Sequence, residues 1–235
     1  LLAGSKPTLS ARLEAILSLL EPCHSLADIA TDHALLPIAA VARGLCERAV
    51  AIDLREAPLV EARRNVERAG LGERIALLRG DGLLPLLSQP TEAVVIAGVS
   101  GALVVRMLEA VQSLKSGLNQ LVLQPNTDLA HVRAWARKNG LHLRAERSVL
   151  VRGRFFAACA YQPGEGDDPA YRVPGFSLEQ LDSVGPRLLA ERSEATLRQA
   201  EAQCERLSAL RQHGPHHAEE LASWELARRF LRGAG

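Results

Sequence analysis

Residues 26–37 read LADIATDHALLP. The first half is apolar and of the length a buried strand needs, and the second half opens a helical pattern with Pro37, a residue tolerated in a helix's first turn. Asp28, Asp32 and His33 stand between them. A strand that passes through a polar turn into a helix begins a β-α-β unit. This stretch therefore predicts an α/β domain whose chemistry sits at the carboxyl end of its first strand.

The alternation continues in both directions. Upstream, LSARLEAILSLL (9–20) has apolar residues at helical spacing, with Ser10 placed as an N-cap. Downstream come the strand RAVAIDL (48–54), the helix APLVEARRNVERAG (57–70), the strand IALLRGD (75–81) and a short helical turn in GLLPLL (82–87). EAVVIAGV (92–99) follows, with the unbroken apolar centre of a parallel strand covered on both faces. Its helix is SGALVVRMLEAVQSL (100–114); a fifth strand, QLVLQPN (120–126), leads into the helix LAHVRAWARKNG (129–140). The pattern then changes. LHLRAERSVLV (141–151) and RFFAACAYQ (154–162) are joined only by Arg152-Gly153, which predicts an antiparallel hairpin. The fold class expected is α/β, an open, doubly wound sheet, mostly parallel with an antiparallel C-terminal hairpin.

PGEGDDP (163–169) reads as a linker, dividing a sheet domain over 1–165 from a helical, coiled-coil-like domain over 166–235. In the latter, Leu178, Leu181, Val184, Leu188, Leu197, Cys204, Leu207 and Leu210 form a helical stripe broken near Gly185-Pro186. A further helix over 218–232 puts Leu221, Trp224 and Phe230 on one face.

Of 235 residues, 47% are apolar and 23% charged, with 28 basic against 27 acidic groups, a balance that suits a globular chain and excludes a tail or linker. No run approaches the roughly 18 to 20 apolar residues of a membrane span, and the start lacks a basic segment followed by an apolar core. The protein is expected to be cytoplasmic, with no membrane partner. Cys23, Cys46, Cys159 and Cys204 form no C-x-x-C pair and read as reduced, buried thiols. His213, His216 and His217 flank Gly214-Pro215 in a loop, and no metal is expected there.

In an open α/β sheet, ligands bind outside the carboxyl ends of the strands, and the polar residues gather at those ends. Asp53 ends the second strand, where a carboxylate accepts from both ribose hydroxyls of an adenosine cofactor. Asp81-Gly82 ends the third, where a carboxylate meets the adenine amino group. Each aspartate taken singly is equally an N-cap or a turn residue; their recurrence at consecutive strand ends favours a ligand. Neither G-x-G-x-x-G nor a P-loop follows the first strand, so no pyrophosphate cradle is present. The acidic first loop suits instead a cofactor with a cationic centre and an ammonium group, as in S-adenosyl-L-methionine. His33 either contacts that cofactor or caps the helix. Between residues 131 and 154, Arg133, Arg137, Lys138, Arg144, Arg147, Arg152 and Arg154 stand against Glu146 alone. This is either a phosphate-binding surface or a solvated basic face.

LSARLEAILSLL, ADIATDHALLPI, AIDLREAPLVEARRNV, LRGDGL, VVIAGVSGALVVRML and LVLQPN together resemble the TrmK family of bacterial tRNA (adenine-N1)-methyltransferases, which act on adenine at tRNA position 22. The similarity runs in order over residues 9–163, and SVGPRLLAERSEATLRQAEAQ (183–203) resembles the family's C-terminal helical hairpin. The resemblance implies a class I (Rossmann-like) methyltransferase sheet, S-adenosyl-L-methionine as cofactor and tRNA as partner. It implies that Asp28, Ala30, Asp32, His33 and Pro37 shape one side of the cofactor pocket, that Asp53 and Leu54 border the ribose, and that Asp81 and Gly82 meet the adenine. Ala97 and Gly98 would form the floor. Gln124 and Asn126 would face the incoming base, with Asp32 or Asn126 accepting from its amino group, while Arg133, Arg137, Lys138, Arg152 and Arg154 would grip RNA. Where the family commonly has glycine in the first loop this chain has Ala30; the tyrosine after the His-Ala pair is Leu35; and Gly-Met-Gly-Gly reads GVSG, with Val99 and Ser100. The residues alone leave open a methyltransferase for another RNA or a small molecule, or a non-catalytic RNA-binding protein. The oligomeric state is equally open.

Overall fold

The structure is a computed structural model and describes residues 9–111, 117–210 and 215–233. Seven strands form one sheet in the order β3-β2-β1-β4-β5-β7-β6. They are β1 (Cys23–Ile29), β2 (Cys46–Asp53), β3 (Ile75–Arg79), β4 (Ala93–Ala97), β5 (Gln120–Gln124), β6 (Leu141–Val151) and β7 (Arg154–Pro163). The first five are parallel, and β7 pairs antiparallel with both β5 and β6. Strand order reverses between β1 and β4. This opens the crevice at their carboxyl ends that the first stretch of sequence predicts.

The helices are α1 (Ala11–Leu17), α2 (Leu35–Ala42), α3 (Glu56–Arg68), α4 (Gly101–Glu109) and α5 (Leu129–Lys138), followed by α6 (Leu178–Val184), α7 (Pro186–Glu191), α8 (Glu194–Leu210) and α9 (Pro215–Leu231). Ser10 caps α1 by accepting from the Leu13 amide, and Ser177 and Gln180 form a reciprocal capping box on α6. The turn in 82–87 is a 3-10 turn, Leu84–Leu87. The last residues of the helix expected over 100–114, and His213, lie outside the described residues.

Two apolar clusters cover the sheet. One gathers Ile16, Leu26, Ala39, Ala51 and Val95 under α1 and α2. The other runs without interruption from Ile52, Ile96 and Leu123 through Leu143 and Tyr161 to Leu181, Leu207 and Trp224. The C-terminal helices therefore share a core with the sheet. Helices α4 and α5 lie on the same face, and α6 packs on α5.

The stripe from Leu178 to Leu210 folds as three helices because the chain turns sharply at Gly185, whose φ is +107°, and again at Arg192, left-handed at φ +46°. A Cβ there would stand 2.7 Å from Arg133 Nη2 and 2.9 Å from Glu146 Oε2. Those two side chains form a buried ion pair, with Arg133 2% and Glu146 0% exposed and Nε to Oε1 at 2.8 Å. Arg133 also donates to the carbonyls of Asp182 and Ser183, and Glu146 accepts from the amides of Arg187 and Leu188. Glycine is required at this turn because guanidinium and carboxylate fill the space a side chain needs.

Arg133→Met leaves the Glu146 carboxylate buried without its cation and is expected to destabilise the fold by about 3–5 kcal/mol in urea unfolding. The double substitution R133M/E146L, which removes both charges, recovers most of that loss.

Candidate active site

The crevice between the ends of β1 and β4 is a cleft of about 570 Å³, walled by α1 on one side and by the β1–α2 loop on the other. Asp28, Ala30, Asp32, His33, Asp53, Ala97 and Gly98, all expected there from the sequence, line it together. So do Leu35 and Val99, two positions where the chain departs from the family pattern, and residues that sequence reading missed, Arg12, Leu13 and Thr31 among them. Arg12 belongs to α1, and the packing of α1 against β5, β6 and β7 brings it here.

The β1–α2 loop holds its shape through two left-handed alanines, Ala30 at φ +59° and Ala34 at φ +55°. A glycine meets no Cβ penalty at such positions, so Ala30 carries a strain that the family's usual residue does not. Between them, Thr31 turns inward and its Oγ1 donates to Asp28 Oδ2 at 2.6 Å. Asp32 and His33 stay exposed and pair with each other, Nε2 to Oδ2 at 3.2 Å. The His33 carbonyl accepts from Asn65 Nδ2, which ties the loop to α3.

Asp28 and Asp53 are both buried, at 6% and 5% exposure. Burial pushes the Asp28 carboxyl up to about 7, partly offset by the Thr31 hydroxyl and reinforced by the Asp53 charge. Asp53 Oδ1 accepts from the Arg55 amide, and the Arg55 guanidinium approaches to 3.6 Å. Among the described residues Asp28 has no cationic partner. Buried carboxylates so placed complement a ligand that brings a positive charge and hydroxyl donors.

Helix α4 starts at Ser100, which caps it by accepting from the Leu103 amide, a structural use for a departure from glycine. Across the next strand end, Asn126 Nδ2 donates to the Gly98 carbonyl at 2.6 Å, the Asn126 amide donates to the Val99 carbonyl, and Asn126 Oδ1 accepts from Arg12 Nη1 at 3.3 Å. Asn126 thus joins the β4 and β5 ends at the border of the cleft.

Several expected residues sit elsewhere. Pro37 is buried inside α2, which begins two residues earlier than the sequence suggests. Leu54, 59% exposed, and Asp81 flank the cleft without lining it. Gly82 is close-packed against a side chain of α4, since a Cβ would stand 2.9 Å from Met107 Cγ, so its small size serves the fold. Gln124 is 1% exposed, with Nε2 bonded to the Pro125 carbonyl, and does not line the cleft.

The basic run is mostly consumed internally. Arg133 is in the buried pair and is corrected from a phosphate contact to a core residue. Arg137 binds Asp182 at 2.7 Å, Arg144 binds Glu21 and Arg147 binds Glu191. Lys138 is exposed at the far end of α5, about 15 Å along the helix from the strand edge. Arg152 and Arg154 alone of the expected RNA contacts stand exposed at the hairpin turn beside the site. All four cysteines are free, and burial pushes Cys23 and Cys46 up to about 11 and 12. Among the described residues no cluster of three metal-ligating side chains occurs, and no helix is long and apolar enough to cross a membrane.

A sheet of this order, with buried carboxylates at the first two strand ends and no glycine-rich phosphate loop, defines a class I methyltransferase domain, and residues 9–158 match the family described as methyltransferase domain. The chain is 34% identical to the tRNA (adenine(22)-N(1))-methyltransferase of Bacillus subtilis (strain 168) over 190 residues, 81% of this chain and 79% of that protein. It therefore belongs to the tRNA (adenine(22)-N1)-methyltransferase family. The crystal structure of the B. subtilis m1A22 tRNA methyltransferase TrmK superposes with a TM-score of 0.78 at 28% identity, over 97% of this chain and 98% of that one. A Streptococcus pneumoniae protein in complex with S-adenosyl-L-methionine superposes with a TM-score of 0.82 at 26% identity, over 94% and 100% of the two chains.

The raised Asp28 pKa makes the unliganded protein's stability pH-dependent. The folded value of about 7 lies above the ordinary aspartate value of 3.8, so this group's contribution is fully present below about pH 4 and is lost as pH rises through 7. Thermal unfolding across that range should show the decline, and Asp28→Asn should flatten it. Ala30→Gly relieves the left-handed strain and is expected to raise stability by about 0.5–1 kcal/mol after the entropy of the unfolded glycine is set against it, measured by urea unfolding.

Proposed function

We propose that this protein is an S-adenosyl-L-methionine-dependent methyltransferase that methylates N1 of adenine 22 in tRNA. The observation that carries the reading is the cleft itself: Asp28, buried without a cation, and Asp53 one strand away, in a chain of this family. Such a pair fits the ammonium and the ribose of the cofactor, and repels a dinucleotide's pyrophosphate.

Asp28 takes the ammonium end, with Asp32 and His33 at the mouth of the same loop. Asp53 accepts from the ribose hydroxyls, Leu54 and Asp81 border the adenine, and Ala97 and Gly98 lie beneath the reacting end. When bound, S-adenosyl-L-methionine supplies an electrophilic methyl group, so the target nitrogen needs alignment more than deprotonation. Asn126 provides that alignment. Its Nδ2 is occupied by the Gly98 carbonyl, and its Oδ1, which accepts one bond from Arg12 at 3.3 Å, keeps a second lone pair as the acceptor for the exocyclic amino group of adenine. Holding that amino group fixes N1 in the base plane. Asp32, exposed and turned to His33, is the second candidate acceptor. The partner is folded tRNA, which places the activity in the cytoplasm.

Labelled methyl transfer to unmodified tRNA transcripts, followed by nucleoside mapping, is expected to yield N1-methyladenosine at position 22, and a transcript with guanine there should accept no label. Asn126→Ala should lower kcat by about a hundredfold while leaving cofactor affinity intact. Cofactor affinity should fall about tenfold for each pH unit below 7, because only the Asp28 carboxylate attracts the ammonium, and Asp28→Asn should remove this dependence along with most of the affinity, as calorimetry would read.

A further inference from the structure

We propose that Arg12 and Arg154 form a clamp for one backbone phosphate of the RNA, at the nucleotide whose base enters the cofactor cleft. The inference rests on the RNA substrate proposed above and adds to it the residues and the ligand group.

A second cavity, of about 790 Å³, opens on the other side of Asn126, between the β6–β7 hairpin, the β5–α5 loop and the C-terminal helices. Asn126, Arg154, Phe156, Gln199, Arg206 and Trp224 are among the residues that line it. Arg12 lines the first cleft, and Asn126, bonded to both Gly98 and Arg12, forms the seam between the two. A polynucleotide with a base in the first cleft and its chain in the second must carry a phosphate across that seam.

The two arginines flank the seam. Strand β7 runs antiparallel to β5 with Leu123 opposite Cys159, so Arg154 and Phe156 overhang the carboxyl end of β5. Arg154 Nη2 donates to the Asn126 carbonyl, as Arg12 Nη1 does to the Asn126 side chain. Both guanidinium carbons lie 5.1 Å from the centroid of the Phe156 ring. Each is therefore held by one hydrogen bond and one aromatic ring while most of its five donors remain available.

The charges are unmatched. Among the described residues neither arginine has a carboxylate partner, whereas Arg133, Arg137, Arg144, Arg147 and Arg206 all have one. Burial, and then the neighbouring Arg154 charge, hold Arg12 below its ordinary value. Two converging guanidiniums repel until an anion lies between them, and the planar forks match the paired oxygens of a phosphodiester.

The test compares wild-type protein with R12Q/R154Q and R12K/R154K for tRNA affinity across a salt series, for kcat and KM, and for S-adenosylhomocysteine affinity by calorimetry on the same preparations. R12Q/R154Q should lose about tenfold in tRNA affinity, a larger loss than any change in S-adenosylhomocysteine affinity, and its log K against log salt slope should fall by about 1. R12K/R154K should keep the wild-type slope, since the charges remain, and regain only part of the affinity. An R12Q/R154Q protein that binds tRNA with wild-type affinity and slope overturns the clamp and leaves the proposed function standing. Loss of S-adenosylhomocysteine binding in step with tRNA binding also overturns it, by assigning Arg12 to the cofactor. Wild-type protein that binds and methylates no tRNA overturns both.

Discussion

The Arg133–Glu146 pair is the constraint on which the arrangement of this molecule depends. It ties together α5, β6, the end of α6 and the start of α7 with hydrogen bonds from both partners, and Cys159 of β7 donates to the same carboxylate at 3.2 Å. Removing two charges from water is costly, and it is tolerated because every segment crossing this point supplies a donor or an acceptor. The apolar cluster continues past the pair into the C-terminal helices, so helices and sheet do not move as independent bodies without opening a buried charge. The β6–β7 hairpin is held at a fixed height, and with it the second cavity and the overhanging Arg154.

The cofactor cleft works by the opposite arrangement. Its carboxylates Asp28 and Asp53 are buried with few internal partners, and its loop is held by two left-handed alanines. Asp28 is kept ready for a cation at the expense of stability near neutral pH, as expected of a site whose missing partner is the ligand. Helix α1 closes the cleft from the N-terminal side. Through Arg12 it connects the first helix of the chain to the end of the fifth strand, more than a hundred residues later.

Much of this was legible along the chain. Ser10 as a cap, the apolar strands with their terminal aspartates, the hairpin at Arg152-Gly153 and the break at Gly185-Pro186 are all local signals, and each appears in the structure. The cleft residues Asp28, Asp32, His33, Asp53, Ala97 and Gly98 were also legible, because topology alone brings the ends of parallel strands together. Gly82 and Gln124 lie outside the cleft lining, and their neighbours are hidden from the chain order: Gly82 packs close to Met107, and Gln124 is buried beside Pro125.

The arginines show where sequence ends. A run of basic residues between 131 and 154 reads as one surface, yet helix and strand geometry send its members in different directions: Arg133 into the core, Arg137, Arg144 and Arg147 to acids elsewhere in the chain, and Arg154 to the strand edge. Arg12, outside that run, joins Arg154 only through packing. The sequence by itself determined the α/β class, the strand ends and the family, because these follow from periodicity and from motifs of a few residues. Which charges are neutralised and which stand free was decided only by tertiary structure, since an ion pair depends on distance between side chains that the chain order does not encode.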